Sequence, residues 1–171
     1  VWVTSNFVKD SFRSSGCNKK ITVVHPIVNK SSYNENVIPY LFRPALRSFV
    51  FLSVLTWDYR KGSDALLRAY KHSFSKKDDV SLVLLISEKS KSAQKQIRKE
   101  IFAILGEEGP HVAICTKHIP EYMLPSFYKA CNVFVLPSRG EGFGLTYCES
   151  SLCGLPVIST NYGGQLDFLN I

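Results

Sequence analysis

The chain has 171 residues, 45% hydrophobic and 20% charged, with a formal net charge of +7. This is the composition of an ordinary soluble protein, long enough for one full domain with a core, and it holds no apolar run of membrane-spanning length and no signal-peptide pattern. The five cysteines are odd in number and form no CxxC pair, which excludes a disulfide framework or a zinc site and implies reduced thiols in a cytosolic setting. The positive charge favours an anionic partner without choosing between nucleotide, nucleic acid and lipid headgroups.

In chain order, residues 1–28 read as strand, helix, strand. Val1–Val3 is extended, Thr4, Ser5 or Asn6 caps a short helix through Phe12 that Gly16 ends, and Ile21–Val24 is a second strand closed by His25-Pro26. Residues 29–44 are polar and aperiodic and read as an interdomain linker. From residue 45 to 171 strands and helices alternate. Phe49–Leu55, Leu82–Ile86, Val112–Cys115, Val133–Leu136 and Pro156–Ser159 are apolar strands. Ser63–Phe74, Ser92–Leu105, Tyr122–Ala130 (entered at Pro120) and Leu145–Cys153 are helices. Continuous apolar strands alternating with helices predict an α/β fold: a Rossmann-like parallel sheet with helices on both faces. Ligands of such sheets bind beyond the carboxyl ends of the strands. Leu166–Leu169 reads as the start of another helix, so the chain is expected to be a fragment cut off in its last domain.

The segment with the most chemistry runs from Glu141 to Glu149. Two carboxylates eight positions apart bracket a glycine-rich turn, Gly142-Phe143-Gly144, where the Val133–Leu136 strand hands over to a helix. Free backbone N–H groups and the helix dipole favour an anion at such a turn. The acids then need another task, and accepting hydrogen bonds from neutral hydroxyls is the economical one. A sugar nucleotide supplies both. With the helix beginning near Phe143, Glu149 lies ~9 Å along its axis, so the two acids reach different parts of one extended ligand.

The paired acids, the Gly-Phe-Gly between them, the preceding Pro137-Ser138 and the following Cys153-Gly154-Leu155-Pro156-Val157-Ile158 together resemble the donor-binding half of the retaining GT-B glycosyltransferases of group 1, the family of sucrose and glycogen synthases and many mannosyl and lipopolysaccharide transferases. The likeness runs from about Phe49 to Asp167, and residues 1–28 resemble the tail of that family's first, acceptor-binding domain. The resemblance implies roles. Glu149 accepts hydrogen bonds from the ribose, Glu141 faces the transferred sugar, and the N–H groups of Phe143, Gly144 and Leu145 approach the sugar and distal phosphate. Lys61, with Arg60 beside it, reaches the diphosphate. The family's usual arginine five residues earlier is Thr56 here. His118 and Ile119 touch the base, and Gly163-Gly164 lies near the donor sugar.

No Asp-x-Asp, Walker loop, GxGxxG or GxSxG occurs. No metal and no resident cofactor is therefore expected, and Lys61 with the helix N-terminus takes the place of a divalent ion. Lys89, Lys91, Lys95, Arg98 and Lys99 cluster near one helix with Ile97, Ile101 and Leu105 opposite. That pattern suits a solvated cover of the sheet or a peripheral contact with an anionic membrane. The aromatic interleaving of a nucleic-acid surface is missing, so no nucleic acid is expected as partner.

The expected function is transfer of a hexosyl unit from a UDP-, GDP- or ADP-linked sugar to a hydroxyl of a saccharide, lipid or protein acceptor. It proceeds with retention and without metal, in the cytoplasm or at a membrane face. The fragment alone is expected to bind donor and turn over little. Two other readings stay open: a non-catalytic GT-B relative serving as a binding or scaffold subunit, and a sugar-nucleotide epimerase of the same fold.

Overall fold

A computed structural model describes residues 1–116 and 119–169. Five parallel strands form the main sheet: β3 (Phe49–Leu55), β4 (Val80–Ile86), β5 (His111–Cys115), β6 (Val133–Leu136) and β7 (Val157–Ser159), in the order β5-β4-β3-β6-β7. Two shorter strands, β1 (Trp2–Val3) and β2 (Thr22–Val23), pair in parallel on their own. The helices are α1 (Asn6–Ser14), α2 (Ser63–Ser73), α3 (Lys91–Leu105), α4 (Leu124–Lys129) and α5 (Leu145–Leu152). They cover both faces of the sheet, α2 beside α3 and α4 beside α5.

The apolar runs become strands because a parallel sheet covered on both sides buries most of the side chains of its central strands. In β4, Ser81 to Ile86 are all buried. Leu52, Leu82, Leu84, Ile86, Phe134 and Leu136 form the centre of the core with Leu67 of α2 and Tyr147 of α5. Each such side chain contributes roughly 1.5–3 kcal/mol by leaving water. The chain order switches direction at β3, with β4 on one side and β6 on the other. A crevice opens at the carboxyl ends there.

Three elements differ from the sequence expectation. The helix expected over Tyr122–Ala130 divides into a 3-10 turn, Glu121–Met123, and α4. Pro125 sits in the first turn of α4, where a missing N–H leaves no bond unmade. The helix expected from Leu166 is a 3-10 turn over Gly164–Asp167. Residues 29–44 carry no helix or strand, yet Tyr33 is buried and Tyr40 stacks on Phe127 at 4.0 Å. Among the described residues no helix is long and apolar enough to cross a membrane.

Candidate functional site

A cleft of about 320 Å³ opens at the carboxyl ends of β3 and β4. Its walls are Val54, Leu55, Thr56, Lys61, Leu85, Ile86, Ser87, Ile119, Leu124 and Thr146. Three sequence candidates, Thr56, Lys61 and Ile119, meet there. Thr56 is exposed and donates its hydroxyl to Asp58 Oδ2 at 2.6 Å. Asp58 in turn caps a 3-10 turn over Tyr59–Lys61 and accepts the Lys61 N–H at 3.1 Å. The turn ends at Gly62 with φ 70°, a left-handed backbone that favours glycine. A Cβ at Gly62 would run into the carbonyl of Pro137. The sequence Lys61-Gly62 thus seats the lysine loop directly against the end of β6.

Glu141 is 9% exposed and meets both basic candidates. Lys61 Nζ donates to Glu141 Oε1 at 2.5 Å, and Arg60 Nη1 lies 3.4 Å from the same oxygen. Arg60 also donates to the Gly140 carbonyl at 2.9 Å. Arg139 holds the two loops together. Its guanidinium grips Asp64 with two bonds of 2.8 and 2.9 Å, lies 3.9 Å from the Tyr59 ring centre and donates to the Tyr59 carbonyl at 2.6 Å. Its backbone N–H donates to the Arg60 carbonyl at 2.7 Å. The Arg139 contact holds the Asp64 carboxyl below the usual aspartate range.

Beyond Glu141 the turn leads into α5 without a side-chain cap. Among the described residues the N–H groups of Phe143, Gly144 and Leu145 have no partner within the protein. Such free donors at a helix start are suited to an anion. The paired glycines lie against this turn: Gly164 N–H donates to the Glu141 carbonyl at 2.8 Å, and Gly163 is buried beside Glu141. A Cβ at Gly164 would strike the Gly142 carbonyl.

The N-terminal segment closes the far side. Ser5 caps α1 by accepting the Val8 N–H at 3.2 Å, and its hydroxyl donates to the Gly142 carbonyl at 2.5 Å. Thr4 donates to the same carbonyl at 3.1 Å. Asn6 N–H donates to Asp167 at 2.8 Å. The Phe143 ring lies between His25 and Phe168, at 5.5 and 4.9 Å between ring centres.

Glu149 sits one turn along α5 from the cleft-lining Thr146. It accepts a hydrogen bond from the Tyr128 phenol at 2.7 Å. Burial raises its carboxyl above the usual glutamate range, the Tyr128 bond pulls it back and nearby Glu121 pushes it up. Glu141 and Glu149 are therefore in unlike surroundings: one against two cations, the other against a neutral phenol.

His118 lies outside the described residues. Among the described residues no three His, Cys, Asp or Glu side chains converge as metal ligands would. Sequence reasoning missed Tyr128, Thr146 and the Arg139–Asp64 clamp. Tyr128 and Thr146 stand in expected helices, but nothing in the sequence says which face of each helix meets the cleft.

A parallel sheet with helices on both faces and this carboxyl-end cleft matches the architecture of GT-B glycosyltransferase structures. The HepE protein of Anabaena, solved with UDP and glucose, shares the fold with a TM-score of 0.77 and 18% identity, over 100% of this chain and 47% of HepE. The glycosyl transferases group 1 family model matches residues 42–170, and the chain belongs to that family. It is 33% identical over 107 residues to the capsular polysaccharide biosynthesis glycosyltransferase CapM of Staphylococcus aureus, covering 63% of this chain and 26% of CapM. It is 30% identical over 112 residues to a GDP-mannose-dependent alpha-(1-6)-phosphatidylinositol monomannoside mannosyltransferase of Mycolicibacterium smegmatis, covering 61% of this chain and 28% of that enzyme. The chain thus spans about a quarter of the length of these curated relatives.

Proposed function

We propose that this chain is the donor-binding part of a glycosyltransferase that moves a hexosyl unit from a nucleoside diphosphate sugar to an acceptor hydroxyl. The observation that carries the reading is the convergence of Lys61, Glu141 and the unpartnered N–H groups of Phe143 to Leu145. Cation and N–H donors suit a diphosphate, and the two acids suit the hydroxyls of sugar and ribose. As the glycosidic bond breaks, negative charge grows on the departing diphosphate. Lys61 and the α5 N-terminus stabilise it, a contribution of about 3 kcal/mol for one preorganised donor. In this reading no metal or resident cofactor takes part, and the transferred sugar keeps its anomeric configuration.

The nucleotides named with relatives and neighbours differ, GDP-mannose in the name of one and UDP bound to another, so the base and sugar are to be measured. The acceptor is a saccharide, lipid or protein hydroxyl bound mainly outside residues 45–169. Turnover by this chain alone is expected to be slight. The reading puts the protein in the reducing cytoplasm, with the basic face of α3 as the surface for any membrane contact. Thr56 supports a second reading, a non-catalytic relative: its hydroxyl holds Asp58 where the family's arginine would reach phosphate.

Calorimetric titration with UDP, GDP and ADP, each with and without magnesium, tests the proposal. Metal-independent binding of one nucleotide, weakened by Glu149→Ala, is the expected result. Absence of binding by all three would sink it.

A further inference from the structure

We propose that Tyr128 is the positioning residue of the ribose subsite: its phenol holds the Glu149 carboxylate in the orientation that receives the ribose hydroxyls. The proposal rests on the reading of Glu149 given above and adds a residue on a different helix.

Three observations carry it. First, the geometry is direct. Tyr128 Oη donates to Glu149 Oε2 at 2.7 Å, which leaves Oε1 and the remaining lone pairs of the carboxylate for a ligand. Second, both residues stand one turn behind the cleft. Leu124 and Thr146 line it, and Tyr128 and Glu149 follow them at i+4 and i+3, on the same helix faces. Third, Tyr128 is fully buried at 0% exposure, and Tyr33, at 4%, packs its ring 6.2 Å away. A phenol walled in this way has one orientation, and so imposes one on its partner.

The titration of the surroundings agrees. Burial, then the charge of Glu149, pushes the Tyr128 phenol far above the usual tyrosine range, so it remains a donor. The groups facing Glu149 are Tyr128 on α4, Tyr33 on the 29–44 segment, Glu121 before α4, Cys148 on α5 and Cys153 just after it. Of these, the Tyr128 hydrogen bond is what draws the Glu149 carboxyl back toward its ionised form. A glutamate lacking that bond would hold its proton to higher pH and accept ribose hydroxyls less well.

A plain bolt between α4 and α5 would stabilise the fold without caring what the ligand carries. The test separates the two. UDP, GDP and ADP and their 2′,3′-dideoxy counterparts are titrated into the unmodified chain, Tyr128→Phe and Glu149→Gln, with melting temperature recorded for each. Tyr128→Phe is expected to weaken the best ribonucleotide about tenfold, the size of one lost hydrogen bond to a charged group. Its dideoxy counterpart should change less than about twofold, and the pH midpoint of ribonucleotide binding should move up.

Equal weakening of both ligands, or of neither, by Tyr128→Phe while Glu149→Gln still discriminates overturns the role of Tyr128 alone. Failure of Glu149→Gln to discriminate overturns the ribose reading and this proposal with it. If Tyr128→Phe does not fold, replacing Tyr128 by 3-fluorotyrosine keeps the shape and strengthens the donor. The pH midpoint must then move down, and an unmoved midpoint overturns the proposal.

Discussion

Lys61 and Glu141, separated by 80 positions in the chain, meet at 2.5 Å, with side chains only 14% and 9% exposed. Each neutralises the other at the mouth of the cleft. Lys61→Met therefore leaves a buried carboxylate with only Arg60 nearby, at a cost of about 3 kcal/mol in unfolding free energy. Glu141→Gln frees Lys61 instead. Titration of that variant should show the best nucleoside diphosphate binding up to about threefold more tightly. Weakened binding would mean that the lysine does not serve the diphosphate.

Nucleotide affinity should fall as pH drops, with Glu149 setting the midpoint. Its proton is held above the usual glutamate range by burial, and the protonated form accepts fewer hydroxyls. For the fold the sign is reversed. The folded state binds this proton more tightly than the unfolded chain, so Glu149's contribution to stability is full below the unfolded pKa and is lost as pH rises through the folded one. Binding isotherms between pH ~4 and ~8 should slope for the unmodified chain and flatten for Glu149→Gln.

Gly62→Ala should lower stability by about 2 kcal/mol or more. The new methyl group meets the Pro137 carbonyl, and the left-handed φ of 70° strains any L side chain. Denaturant unfolding measures the cost. A change within about 0.5 kcal/mol would show that the lysine loop can lift away from β6 freely.

Arg139→Lys keeps the charge but loses the fork that grips Asp64 and the stack on Tyr59. The expected cost is about 1 kcal/mol, together with weaker nucleotide binding, since the clamped loops carry Lys61 and Glu141. Asp64 contributes stability above its unfolded pKa and loses it as pH falls through its depressed folded value. Acid unfolding of Arg139→Lys should accordingly be less steep.

Ser53 is fully buried on β3, and among the described residues its hydroxyl has no partner. An unpaired buried hydroxyl costs about 1–3 kcal/mol, so Ser53→Ala should leave stability unchanged or raise it by about 1 kcal/mol. A loss of that size in thermal unfolding would reveal a bond the side chain makes in solution.

The strands were legible because β6 is an unbroken apolar run and β3 and β4 are each interrupted by a single serine, Ser53 and Ser81, and a sheet buried on both faces demands nothing subtler. The glycine turn and its two acids were legible because the residue types stand in local order. Contacts between distant segments were not. The pairing of Lys61 with Glu141 depends on β3 and β6 being neighbours in the sheet, which no local pattern states. Tyr128 looks like any core aromatic until α4 and α5 are placed side by side. Tyr33 sits in a polar, aperiodic stretch and is buried only because that stretch lies over α4 and α5.

Three consecutive backbone oxygens leading into the turn are occupied from within the protein. The carbonyl of Gly140 accepts from Arg60 and Ser138, that of Glu141 from Gly164, and that of Gly142 from Thr4 and Ser5. Over those three residues the backbone's negative partial charges are already met by donors of the protein itself. In the proposed reading, the free N–H groups of Phe143 to Leu145 then face phosphoryl oxygen, beside a Glu141 carboxylate already held by Lys61 and Arg60. Two of the hydroxyls that occupy those oxygens, on Thr4 and Ser5, come from the segment farthest away in sequence.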